Sequence, residues 1–275
     1  MFKLVILLAF VAVAIGAADT RDEVMAEVEG RIVGGTPIII ASAPYTVSVQ
    51  VSGKHRCGGV IISPNRILTS AGCVKGTRPS NLLVRAGSSY PNVLGVLMGV
   101  DVIRINERYN PNTRENDLAV LSLTGTLRLG TNIKTIPIAT RTPANGSAAT
   151  IAGWGRTIPN SPNHSEHLYS ASGNIIGRAE CAQTGYGSEI KNDNICFAAP
   201  LPGIGACTGD EGGPLVVNNI LVGIISWGRG CAVHRYPTVA VNVALHRNWI
   251  INASHQNVLC YVPSFVSWQE IRCCL

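Results

Sequence analysis

The stretch Cys207-Thr-Gly-Asp-Glu-Gly-Gly-Pro-Leu215 leaves its backbone few choices. Glycine or proline stands at 209, 212, 213 and 214, and a cysteine anchors the start. A turn this tight holds one side chain outward and aims consecutive backbone N–H groups at a single point, which makes it an anion site. Asp210 and Glu211 stand side by side in its centre. A loop of this kind must be carried on a rigid frame. Many short apolar runs broken by Gly, Pro and Asn point to an all-β frame.

Five such runs are Tyr45–Val51, Cys57–Ser63, Ile67–Ser70, Asp117–Leu123 and Thr150–Gly155. Pro64-Asn65 and Asn218-Asn219 are hairpin signals, the second joining Pro214–Val217 to Ile220–Trp227. Only Val243–Ile251 carries a helical pattern. With 46% hydrophobic and 14% charged residues, the chain has ample core and is not disordered. No repeat or low-complexity segment stands out.

Residues 1–18 read as a secretory signal peptide: Lys3, the apolar run Leu4–Ile15, then small residues. The run is too short to cross a bilayer, and no membrane partner is expected. Residues 19–31 form an acidic propeptide with too little apolar content to fold alone. Residues 32–257 form the main domain, and 258–275 a cysteine-containing tail. Losing 1–31 removes three basic and five acidic residues, so the formal net charge rises from +6 to +8. That weakly favours anionic partners. Lys54-His55-Arg56, and Arg229 with Arg235, are candidate contacts for an anionic glycan, though a solvated surface is the commoner use of such groups. Nothing points to nucleic acid. Sequons at Asn145, Asn163 and Asn252 and nine cysteines suit an extracellular, secreted protein with disulfides.

Several motifs occur together: Ile32-Val-Gly-Gly, Cys57-Gly-Gly, Leu68-Thr-Ser-Ala-Gly-Cys73, Asn116-Asp-Leu-Ala, Gly153-Trp-Gly, Gly209-Asp-Glu-Gly-Gly-Pro and Ser226-Trp-Gly. In this order the chain resembles the chymotrypsin-like (trypsin-type) serine proteases over about 32–252. The resemblance implies two packed antiparallel six-stranded β-barrels with a C-terminal helix and a cleft between the barrels. It implies bridges Cys57–Cys73, Cys181–Cys196 and Cys207–Cys231. Cys260, Cys273 and Cys274 are left in the tail, and their odd number leaves room for a disulfide-linked dimer. Phe265, Trp268 and Ile271 recur there at helical spacing.

Serine-type amide hydrolysis needs a hydroxyl to attack, an imidazole to carry its proton and a carboxylate to orient the imidazole. By resemblance the triad positions are Gly72, Asp117 and Glu211, of which only Asp117 keeps the family's residue. The six histidines, His55, His164, His167, His234, His246 and His255, read as solvated loop residues. No metal or other cofactor is called for. The expectation is therefore a non-enzymatic homologue that binds an extracellular protein or peptide, such as a protease or its substrate. The alternative is a weak or unconventional peptidase using the same cleft.

The resemblance assigns further roles. Cleavage after Arg31 would free the Ile32 amine to pair with Asp210. The backbone N–H groups of Gly209 and Glu211 would form the oxyanion hole, into which the Glu211 carboxylate is expected to fold back. Gly205 would stand at the base of the specificity pocket, with Ser226, Trp227 and Gly228 as its wall and Thr238 limiting its depth. That pocket reads as small and apolar.

Overall fold

A computed structural model describes residues 32–159 and 161–255. The signal peptide, the acidic segment with Arg31, and the tail with its three cysteines lie outside the described residues. The first barrel is built from β2 (Thr46–Val51), β3 (Lys54–Ser63), β4 (Arg66–Thr69), β5 (Leu82–Ala86), β6 (Val96–Ile105) and β7 (Ala119–Leu123). It closes in the order β2-β3-β4-β7-β6-β5 with antiparallel pairing throughout. The second uses β8 (Ala148–Gly153), β9 (Tyr169–Ile176), β10 (Asn194–Ala198), β11 (Pro214–Val217), β12 (Ile220–Trp227) and β13 (Thr238–Asn242). Its order is β9-β10-β13-β12-β11-β8, and the β8–β9 ladder closes it. A short β1 (Thr36–Pro37) adds to β9. Among the described residues three α-helices complete the fold: α1 (Ala71–Val74), α2 (Arg178–Cys181) and the C-terminal α3 (Arg247–His255). The three expected disulfides are all formed.

Alternation along the strands explains how the barrels join. Ile61, Ile67, Ala119 and Leu121 point into the first barrel. Their neighbours Val60, Leu68, Leu118 and Val120 point the other way, into the core of the second barrel beside Ile151, Leu215 and Ile224. Strands buried on both faces carry continuous apolar runs, which is why 118–121 reads Leu-Ala-Val-Leu. The Asn218-Asn219 hairpin turn has φ of +50° and +59°, a conformation asparagine tolerates better than most residues.

The helix departs from its expected bounds. It begins at Arg247 rather than Val243, because Val243 N–H donates to Val222 O and Ala244 N–H to Asn242 Oδ1. These bonds hold the segment as a turn against the barrel.

One close contact between the barrels is glycine on glycine. A Cβ on Gly58 would lie 2.7 Å from Gly213 Cα, and Gly58 N–H donates to Glu211 O at 2.8 Å. Gly58→Ala is expected to push β3 off the 207–213 loop and to cost about 1–3 kcal/mol, as overpacking of a dense core does. Urea unfolding of the variant measures this; an unchanged midpoint contradicts it.

Candidate functional site

Both barrels contribute to one cleft of about 680 Å³. Gly72, Asp117, Ser226 and Glu211 all line it, so three positions far apart in sequence converge with a fourth. Gly72 sits in the one-turn helix α1, and its N–H donates to Asp117 Oδ1 at 2.7 Å. A Cβ built there would lie 3.6 Å from Asp117 Oδ1 and 3.2 Å from the Tyr109 hydroxyl. Asp117, only 2% exposed, also accepts from the Ser226 hydroxyl at 2.5 Å. Burial raises its carboxyl above the ordinary range, against these two bonds and the field of Arg114.

Glu211 is folded back on its own loop. Its Oε2 accepts from Gly209 N–H at 2.7 Å. Burial raises this carboxyl too, and the charge of Asp117 adds to the rise, while the backbone bonds and Arg114 oppose it. The loop beneath is fixed by Asp210 N–H to Cys207 O, Gly213 N–H to Asp210 O and Gly212 N–H to Ile225 O. Gly209 and Gly212 take φ of +102° and +81°, which only glycine adopts without strain.

Asp210 is fully buried and accepts from Gly155 N–H at 2.7 Å and Cys207 N–H at 3.0 Å. Burial pushes its carboxyl up to about 7, with Glu211 adding to the rise. Ile32 is also fully buried, within the second barrel's core cluster.

Beside the cleft lies a pocket of about 390 Å³ lined by Ala206, the Cys207–Cys231 bridge, Trp227, Gly228, Ala232 and Thr238. Gly205 is buried just behind it; a Cβ there would stand 3.3 Å from Ala232 Cα and 3.5 Å from Thr238 Oγ1. Thr238 Oγ1 accepts from Ala206 N–H at 3.2 Å. Ser226, expected as pocket wall, turns its hydroxyl to Asp117 instead and lines the main cleft. Asn145, Asn163 and Asn252 are all exposed.

Four histidines do not fit the solvated reading: His164, His167 and His246 are only partly exposed, and His55 is buried. His55 is 5% exposed. Its Nε2–H donates to Gly209 O at 3.1 Å, so Nδ1 accepts from the Ser48 hydroxyl at 2.8 Å. Burial pushes its pKa down to about 3, with His164 contributing. The in-out alternation of β3, exposed at Lys54 and Arg56 and buried at His55 and Cys57, is the signal that marks it. His246, only partly exposed, lies 3.3 Å from Asp193 Oδ2. Tyr109 was also unforeseen, and no local pattern announces it. Among the described residues, no group of three or more His, Cys, Asp or Glu is placed to hold a metal ion.

Two β-barrels with a cleft at their junction, a glycine-built anion loop and an apolar pocket beside it define a serine-protease scaffold. The trypsin family model matches residues 32–250. Trypsin beta of Drosophila erecta is 45% identical over 92% of this chain and 99% of its own length. Trypsin alpha of Drosophila melanogaster is 43% identical over 93% of this chain and 99% of its own length. Mouse neuropsin, a serine protease of known structure, superposes with a TM-score of 0.74 at 27% identity, covering 80% of this chain and 98% of that one. The chain belongs to the trypsin family.

These matches correct the expectation of a non-enzyme. That reading rested on Gly72 and Glu211 alone, whereas relatives named trypsins are 43–45% identical over 92–93% of the chain, which points to a protease. Two side chains report on one catalytic route and not on the cleft, pocket and loop that surround it.

Asp210 has a signed pH consequence. Its folded pKa lies above the unfolded value of about 3.9, so the folded state holds the extra proton between them. In the uncleaved chain, where no Ile32 amine faces this carboxyl, stability falls as pH rises from about 4 to about 7, by an amount on the order of 4 kcal/mol. Asp210→Asn is expected to flatten this part of the melting-temperature profile, whatever its absolute stability. Parallel profiles for the two proteins contradict the assignment.

Proposed function

We propose that this protein is secreted, binds extended polypeptide in the cleft between its barrels, and acts on it as a weak, unconventional peptidase of the trypsin family. The observation that carries the reading is the carboxyl pair: Asp117 and Glu211 line one cleft beside Gly72, which has no side chain of its own, and both are pushed upward. A carboxyl raised by burial keeps its proton more readily than a free one, so with one of the two protonated and the other ionised the cleft provides an acid and a base in one place.

The carboxylate takes a proton from water as the water oxygen adds to the amide carbon. The protonated partner gives its proton to the leaving nitrogen, and the amide becomes an acid and an amine. The N–H groups of Gly209 and Glu211 serve the developing oxyanion once substrate displaces the Glu211 carboxylate. The neighbouring pocket, walled by Trp227, Gly228 and Thr238 and lacking a charge at Gly205, suits a small or medium apolar side chain. Release of the Ile32 amine by cleavage after Arg31 gives Asp210 a cationic partner, and N-terminal sequencing of secreted protein tests that step.

The activity test is digestion of a mixed peptide library by the Ile32-starting protein from about pH 4 to pH 8, read by mass spectrometry. The expected result is slow cleavage after small apolar residues with an acidic optimum, and a fall of about 10²-fold or more in Glu211→Gln. A fluorophosphonate probe is expected to leave the protein unlabelled. Cleavage that is absent at every pH, or equal in Glu211→Gln, overturns the peptidase reading.

A second expectation comes from the preserved position of Asp117. Gly72→His with Glu211→Ser, on a Tyr109→Phe background that removes the hydroxyl 3.2 Å away, is expected to install a conventional triad. Fluorophosphonate labelling, absent before the substitutions, reads the outcome directly.

A further inference from the structure

The cleft is more cationic than its carboxyl pair requires. Lys54, Arg56, Arg114 and Arg156 line it, against only Asp117 and Glu211. Arg114 is accounted for: its charge acts on both carboxyls, and its guanidinium lies 5.8 Å from the Trp227 ring centroid. Among the described residues, none of the other three stands in an ion pair with an acidic group. Lys54 and Arg56 are exposed on β3 of the first barrel. Arg156 faces them from the second barrel, its backbone fixed by a bond to Thr208 O at 2.8 Å. Its Nε is buried with no hydrogen-bond partner among the described residues. His164 lines the cleft with these groups; burial first, then Arg156 and Arg56, lower its pKa, so both arginines act on the same small volume.

Like charges from two barrels converging on one cleft, and outnumbering its two carboxyls, form a surface that favours an anion. A sulphated glycan would use the charges but leave the adjoining apolar pocket of about 390 Å³ empty. A polypeptide uses both, since residues about 3.3 Å apart along an extended chain carry one side chain to the pocket and others to the cations. We propose that this cleft selects polypeptide bearing aspartate or glutamate within two or three residues of the one seated at Glu211, with Lys54, Arg56 and Arg156 as the selecting groups. This rests on the reading of the cleft as a peptide site and gives that site its substrate class.

The experiment uses fluorescent peptides with one small apolar residue flanked by Asp/Glu, by Asn/Gln or by Lys, and reads binding by anisotropy at neutral pH. The acidic peptide is expected to bind about tenfold tighter than its Asn/Gln twin, with a gap that narrows as salt rises from about 50 to about 300 mM. Arg56→Gln with Arg156→Gln removes the gap and leaves the neutral peptide within about twofold. Lys54→Gln with Arg56→Gln, both at exposed positions, narrows it without touching a buried group. Equal affinity for acidic and neutral peptides overturns the proposal and leaves the peptide cleft standing. A cleft that binds no peptide of any kind overturns both readings. A heparin tetrasaccharide that binds where acidic peptide does not overturns the proposal in favour of a glycan surface.

Discussion

A buried carboxyl organises the functional half of this molecule. Asp210 sits in the core with its two oxygens on the N–H groups of Cys207 and Gly155. Those bonds tie the start of the anion loop to the turn that follows β8. The loop then passes under Gly58 of the other barrel, where only glycine on both sides permits the approach. The positions of Glu211, Arg156 and the apolar pocket all follow from that anchorage, because each lies on a segment that Asp210 or its neighbours hold. A site fixed this way keeps its shape when individual reactive side chains change, since the frame is made of backbone bonds and not of the reactive groups themselves.

Much of the frame was legible in the sequence. The strands Pro214–Val217 and Ile220–Trp227 stand as expected because alternation and hairpin asparagines are local signals, while the double-barrel fold and the three bridges stand as the resemblance carried by the family motifs implied. The convergence of Gly72, Asp117 and Glu211 was legible for the same reason. What escaped was contact between distant segments. Ser226 meets Asp117 across 109 positions, and His55 meets Gly209 across 154. The chemistry of a lone Ser or His does not say which partner the fold will supply. The helix start escaped too, since Val243 and Leu245 stand at helical spacing from Ile250 and Trp249 while Asn242 and Val222 capture the backbone.

Function was harder to read because it was inferred from two side chains. Gly72 and Glu211 remove the hydroxyl and the imidazole, yet they leave a cleft with two raised carboxyls, an apolar pocket and unbalanced cations. A carboxyl at 211 is itself a reactive group in a new setting. Its chemistry depends on Asp117 beside it, on the N–H groups that hold it and on Arg114, and none of these relations is visible along the chain.

The Tyr109 hydroxyl, set 3.2 Å from where a Cβ on residue 72 would stand, makes positions 72 and 109 one problem in packing. Any side chain at 72 must share the space over Asp117 with a group carried on another loop. The effect of a substitution at 72 therefore depends on what residue 109 is, and the two positions are not additive.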